Sequence, residues 1–154
     1  CVKNLKEAGK YASIHGKYIA VEPLNRYESN FLNTAKDTLA LIENINSPNI
    51  GVQLDVYHMN IEEKDLEKAI ISTGKNLFHL HVSEHDRGTP GTGHTDWTGV
   101  AHALHKISFN GCVVIESCDP KVEVIAEAGA IWRTYDYGQD ELAQKGLEFI
   151  RRVL

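Results

Sequence analysis

Four short apolar runs in this 154-residue chain each carry, at or next to the last position, a side chain that can bind a metal or move a proton. The runs are residues 17–22, 50–55, 77–82 and 111–116, and the side chains are Glu22, Asp55, His81 and Glu116. Three carboxylates and one imidazole make a hard, oxygen-rich donor set. Such a set suits Mn²⁺, Mg²⁺ or Co²⁺ better than a closed structural zinc site. Gathered without a cation, the carboxylates would repel one another, and at least one would stay protonated. A single acid at a strand end is ordinarily a helix cap or a solvated loop residue. Four ligands at four successive ends are much harder to obtain by chance. His79 and His81 are two residues apart and share one strand face, so spacing leaves open which of them is the ligand.

More polar residues follow these ends. Arg26 and Glu28 come after Glu22, His58 lies three residues after Asp55, and Arg87 lies in the loop after the third run. Each alone reads as a surface residue. Together they would line one mouth.

The elements that would position them alternate between helix and strand. Val2, Leu5, Ala8 and Ala12 predict a helix over 2–14 that stops at Gly16. Asn33 is the predicted cap of a helix over 34–46. Leu66, Ala69 and Ile70 predict one over 62–73, ended by Gly74. Residues 83–95 form a long Gly-, Thr- and His-rich loop, a type that often carries function. Helices are predicted over 96–107, 121–134 and 139–154, the last with Leu142, Leu147, Ile150 and Leu154 on its apolar side. The strands recur about every 30 residues and are apolar throughout, as in repeated βα units with a covered parallel sheet. An open doubly wound sheet and part of a (β/α)₈ barrel both accommodate four such units. The first strand-to-helix turn lacks a G-x-G-x-x-G, which disfavours a dinucleotide site.

Composition narrows the classes. The chain is 42% hydrophobic and 24% charged, which suits one domain over residues 1–154. The net charge of −5 and the lack of a cationic block argue against a nucleic-acid ligand. No apolar run approaches about 18 residues, so no membrane span is expected. The polar first ten residues do not read as a signal peptide, and a cytoplasmic location is expected. Cys1, Cys112 and Cys118 are an odd count without metal spacing, and read as reduced thiols.

Five segments carry a family resemblance. Val21-Glu-Pro-Leu-Asn-Arg-Tyr-Glu28, Leu54-Asp-Val-Tyr-His-Met-Asn-Ile-Glu-Glu63, His79-Leu-His-Val-Ser-Glu-His-Asp-Arg-Gly88, Val114-Ile-Glu116 and Ile131-Trp-Arg133 resemble the ketose 3-epimerases. This is the D-tagatose/D-psicose 3-epimerase group of the xylose-isomerase-like TIM barrels. The likeness runs along the whole chain and follows the family's C-terminal half. It implies an α/β fold, the C-terminal half of a (β/α)₈ TIM barrel with four parallel strands and flanking helices. It implies a divalent metal, Mn²⁺ first and Co²⁺ or Mg²⁺ after it, on Glu22, Asp55, His81 and Glu116. Glu22 and Glu116 match the catalytic carboxylates, and Glu28, His58 and Arg87 match residues that hold the sugar's O1, O2 and O3. Trp97 matches a recurrent packing tryptophan.

The implied activity is epimerisation of a ketose at C3 through an enediolate, with a small sugar as substrate. The family's N-terminal half has no counterpart here. A half-barrel alone would expose two sheet edges and its apolar interior, so the chain is expected to form a homo-oligomer or to be joined to a missing N-terminal half-barrel. Hydroxypyruvate isomerase, inosose dehydratase and a half-barrel that only binds or oligomerises are the competing expectations. An endonuclease of the same barrel class would need more histidine ligands and a basic face.

Overall fold

The computed structural model describes residues 1–117, 121–133 and 138–154. Its strands are β1 (Ile19–Val21), β2 (Ile50–Asp55), β3 (Leu77–Val82) and β4 (Cys112–Ile115). All three neighbouring pairs are parallel, and the sheet order is β1-β2-β3-β4. The helices are α1 (Val2–Ile14), α2 (Ala35–Ile45), α3 (Val56–Glu62), α4 (Leu66–Thr73), α5 (Trp97–Lys106), α6 (Glu123–Ala128) and α7 (Gln139–Val153). Each strand is laid beside the one before it, so the order never reverses. A doubly wound sheet reverses at its switch point, whereas a barrel progresses this way. The barrel alternative is the one the topology supports.

Burial separates the two faces of the sheet. Ile50, Val52 and Leu54 of β2, and Leu80 and Val82 of β3, are buried in a core with Ile42, Ile45, Ile70, Val100 and Leu104 from the helices. The opposite face carries Gln53, Asp55, His79 and His81, which the register places side by side in two rows. On β4, Cys112 and Val114 belong to this second face, and both are exposed, Val114 to 40%. This is the interior of a barrel seen from its open side. A register shift in β2 opposite β3 brings the Phe78 ring over Gly51. A Cβ on Gly51 would lie 2.5 Å from that ring, so only glycine is tolerated there.

The helices start and stop largely where local chemistry dictates. Gly16 takes a φ of +61° just after α1. Asp65 accepts from Lys68 N–H at the start of α4, and Asp96 accepts from Gly99 N–H at the start of α5. Three expectations are corrected. Thr34, not Asn33, caps α2 by accepting from Asp37 N–H; the Asn33 amide instead donates to the carbonyls of Leu24 and Ser29. The helix expected over 62–73 starts later, as α4 at Leu66 behind its Asp65 cap, and residues 56–62 form a separate helix, α3, that was not expected, with extended backbone at Glu63 between the two. Seven residues are too few to signal a helix by periodicity, and α3 is set by the Asp55 cap. Leu147 faces solvent, while Gly146, Phe149 and Ile150 face inward. The cause is close approach at Gly146, whose missing Cβ would sit 3.0 Å from Ile115 Cδ1 and 3.1 Å from Pro90.

Cys1 and Cys112 are free, exposed thiols. Cys118 lies outside the described residues. A fourth correction concerns the helix expected over 121–134: α6 covers only Glu123–Ala128, with Gly129 at its end. Among the described residues, no helix is long and apolar enough to cross a membrane.

Candidate metal centre

The ends of β1, β2, β3 and β4 each deliver one side chain with a potential donor atom to a common point. Glu22, Asp55, His81 and Glu116 each offer a donor atom, and the four atoms all lie within 4.8 Å of one another. Donors about 2.0–2.2 Å from a shared ion would span at most about 4.4 Å, so the cluster is within a few tenths of an ångström of that size. His81, not His79, takes part: its Nδ1 is 2.9 Å from Glu116 Oε2 and 3.9 Å from Glu22 Oε1. His79 contacts the His81 ring edge-on, with centroids 4.9 Å apart.

The donor set fits a divalent cation on the side chains' own evidence. Glu22 Oε1 is buried and has no hydrogen-bond partner among the described residues. An orphaned buried carboxylate oxygen is costly unless something positive meets it. Burial pushes the Glu22 carboxyl above its ordinary value; a hydrogen bond from Gln53 opposes this and the Asp55 charge adds to it. Asp55 is fully buried and divides its two oxygens. Oδ1 accepts from Tyr57 N–H at 2.8 Å and caps α3, which leaves Oδ2 turned to the cluster.

Arg87 and His58 close one side. The Arg87 guanidinium donates through Nη1 to Asp55 Oδ2 and, at 3.0 Å, to Glu116 Oε2. It lies 4.1 Å above the centre of the Tyr57 ring, a cation–π stack. Its Nη2 is 3.4 Å from His58 Nε2. Burial, followed by the Arg87 charge, lowers the His58 imidazole to about 4, so the ring is neutral at pH 7. Glu28 reaches the same corner through Asn25, whose amide donates to Glu28 Oε1 at 2.8 Å. Arg26, expected to line the mouth, instead forms a two-pronged ion pair with Glu62 at the surface. Trp97 packs edge-on against Phe149 and is buried, as the resemblance implied.

Sequence reasoning missed Glu84, which sits in the same motif as Arg87. Its carboxylate is fully buried and accepts four hydrogen bonds. Gly91 N–H and Trp97 Nε1–H reach Oε1, each at 2.7 Å, while Thr95 Oγ1 and N–H reach Oε2 at 2.8 and 3.2 Å. Its main chain also brackets the turn: Glu84 N–H donates to Gly88 O, and Arg87 N–H donates to Glu84 O. Arg87 takes a φ of +66°, which ordinary side chains rarely adopt. Such strain persists only where the surroundings enforce it, and the Glu84 hub is that enforcement. A fully buried glutamate is rare enough that no pattern of residue types announces it.

Burial raises the Glu84 carboxyl, but donation from Trp97, Thr95 and Gly91 outweighs it and leaves the group below its ordinary value. The stability it confers is therefore complete above the unfolded value of about 4.3 and is lost as pH falls through the lower folded one. Glu84→Gln turns one acceptor into a donor facing donors. It is expected to cost about 1–3 kcal/mol in urea unfolding at pH 7, and less as the pH is lowered. A neutral-pH loss below about 0.5 kcal/mol, the scale of a surface substitution, would remove the hub from this account.

Comparison with known proteins fits this geometry. The chain is 41% identical over 134 residues to a probable ketose 3-epimerase of Synechocystis sp., covering 87% of this chain and 47% of that protein. The crystal structure of a D-allulose 3-epimerase from Methylomonas sp. in complex with D-allulose matches with a TM-score of 0.94 and 35% identity, over 99% of this chain and 54% of that one. A D-psicose 3-epimerase with D-tagatose from Clostridium cellulolyticum matches with a TM-score of 0.94 and 33% identity, over 99% and 55%. The chain thus spans about half the length of the relatives it matches. The family model for xylose isomerase-like TIM barrels matches residues 1–153. Consecutive parallel strands, ligands at their C-terminal ends and this end-to-end match agree: the chain belongs to the xylose isomerase-like TIM barrel family.

Proposed function

We propose that this chain is the metal-holding half of a ketose 3-epimerase. The observation that carries the reading is the convergence of donor atoms of Glu22, Asp55, His81 and Glu116 within 4.8 Å, with two of the carboxylates just past the ends of the outermost strands. The likeness to epimerases solved with D-allulose and D-tagatose supports a ketose as substrate.

Epimerising C3 means removing a proton beside the C2 carbonyl and returning one on the opposite face. One carboxylate must stand on each side of that carbon. Glu22 and Glu116 come from opposite ends of the four-strand arc and supply the pair. Arg87 and His58 present N–H groups to the sugar's oxygens, where charge builds in the enediolate, and Glu28 holds a hydroxyl. Glu22, Asp55, His81 and Glu116 would hold a divalent cation, which supplies Lewis-acid stabilisation of that charge. Mn²⁺ is the ion proposed, with Co²⁺ and Mg²⁺ as alternatives. Residues 1–154 act as a single half-barrel domain in a cytoplasmic enzyme. The open face is completed by a second copy or by an N-terminal half-barrel. Light scattering separates these, since a stable monomer excludes pairing of copies.

Incubation with Mn²⁺ and D-fructose in D₂O tests the activity. Deuterium at C3 is the expected result. Mn²⁺ bound with no deuterium incorporated would replace the epimerase by a half-barrel that only binds.

A further inference from the structure

Asn25 is almost completely buried, although its side chain carries both donors and an acceptor. Its amide orientation is fixed by a group that cannot turn round. Tyr27 N–H donates to Oδ1 at 2.9 Å, so the NH₂ must face the other way. There it donates to Glu28 Oε1 at 2.8 Å and lies 2.9 Å from His58 Nδ1. The backbone N–H of Asn25 donates to the same Nδ1 at 3.3 Å. Two donors thus face one imidazole nitrogen. That nitrogen must present its lone pair, and a neutral ring then carries its proton on Nε2.

Nε2 is the nitrogen that faces the candidate site. It lies 3.4 Å from Arg87 Nη2 and 4.0 Å from Asp55 Oδ2. Arg87 Nη2–H is aimed at Nε2 as well, so donors face both ring nitrogens. The pair on Nδ1 includes a backbone N–H that cannot turn away, whereas the Arg87 side chain can, and Nε2–H and Nη2–H then meet one oxygen as neighbouring donors. With the proton on Nδ1 instead, Nε2 would offer a base to the pocket. A base there would compete with the two carboxylates for carbon-bound protons.

We propose that Asn25 is a positioning residue that locks His58 as the neutral Nε2–H tautomer, so that the pocket receives a hydrogen-bond donor and not a third base. The assignment of that donor to a sugar oxygen rests on the epimerase reading. The tautomer itself does not.

The test is long-range ¹H–¹⁵N correlation of the chain labelled with ¹⁵N-histidine at pH 7, with the His58 signals identified by their loss in His58→Gln. Nδ1 is expected at a pyridine-like shift and Nε2 at a pyrrole-like, protonated shift. Asn25→Asp places a carboxylate beside Nδ1 and is expected to move a proton onto it, shifting that resonance to the protonated range. A parent spectrum with protonated Nδ1 overturns the proposal, as does an Asn25→Asp spectrum in which both nitrogens keep their parent shifts. If Asn25→Asp does not fold, Asn25→Ala replaces it, with partial population of Nδ1–H expected and an unaltered ring again overturning it. The readout needs no turnover. A chain with the expected tautomer that moves no deuterium into ketose would retain this assignment and lose the epimerase reading.

Discussion

Glu116→Gln is expected to slow entry of solvent deuterium at C3 of a ketose by about 10²–10⁴-fold, the contribution of a positioned general acid or base. Glutamine keeps the shape and one oxygen but cannot accept a proton from carbon. Glu116 Oε2 now meets Arg87 Nη1 at 3.0 Å and His81 Nδ1 at 2.9 Å. A glutamine oxygen can keep the Arg87 contact, so the loop geometry should survive. Metal affinity falls as well, because a neutral amide oxygen replaces an anionic ligand. Two effects are therefore mixed in the rate, and saturating Mn²⁺ separates them. If the loss were only weaker metal binding, raising Mn²⁺ would restore exchange. The two-carboxylate mechanism requires exchange to stay low with the ion fully bound. Exchange within a few-fold of the parent at saturating Mn²⁺ would leave Glu116 a ligand and nothing more.

The parts of this molecule legible in the sequence are those that depend on short-range pattern. β2 and β3 run over the residues that their apolar runs predict, because each lays an unbroken row of apolar side chains, Ile50, Val52 and Leu54 or Leu80 and Val82, against the helices. The convergence of Glu22, Asp55, His81 and Glu116 was legible because a parallel fold sends every strand's C-terminal end to one rim. Choosing His81 over His79 was not possible from spacing, since both point to the same face. Depth decides it: His81 pairs in register with Asp55, at the rim, whereas His79 pairs with Gln53 one step below. Asn25 and Glu84 were invisible for another reason. Each works through contacts with partners that the chain path brings near, His58 for the first and the 91–97 segment for the second. Their residue types alone predict solvent exposure. Arg26 failed in the opposite sense: it follows a ligand strand but turns outward to Glu62, because α3, which that glutamate ends, was not foreseen.

Asp55→Asn is expected to abolish the stabilisation that Mn²⁺ confers. In the parent, an ion that binds only the folded state at 100 times its dissociation constant adds about 2.7 kcal/mol. For a chain of this size that corresponds to a rise of about 5–11 °C in the unfolding midpoint. Asparagine can still accept from Tyr57 N–H and cap α3, so helix and backbone should persist. At Oδ2 it exchanges an anion for a neutral group, at the most buried of the four ligands. Two opposing effects then act on the ion-free protein. Arg87 loses its Asp55 partner but keeps Glu116 at 3.0 Å, while Glu22 is relieved of a like charge. Loss of a charged hydrogen bond in a buried site outweighs relief at a partly solvated one, so a net cost of about 1–3 kcal/mol is expected without metal. The pH dependence distinguishes a metal site from surface charge. Glu22 has its carboxyl raised, so protons compete with the cation there, and the Mn²⁺-dependent rise in the parent should shrink as pH falls toward that raised value. Thermal unfolding of both proteins, with and without Mn²⁺, reads all of this. A Mn²⁺ shift of equal size in parent and Asp55→Asn would mean that the ion binds elsewhere.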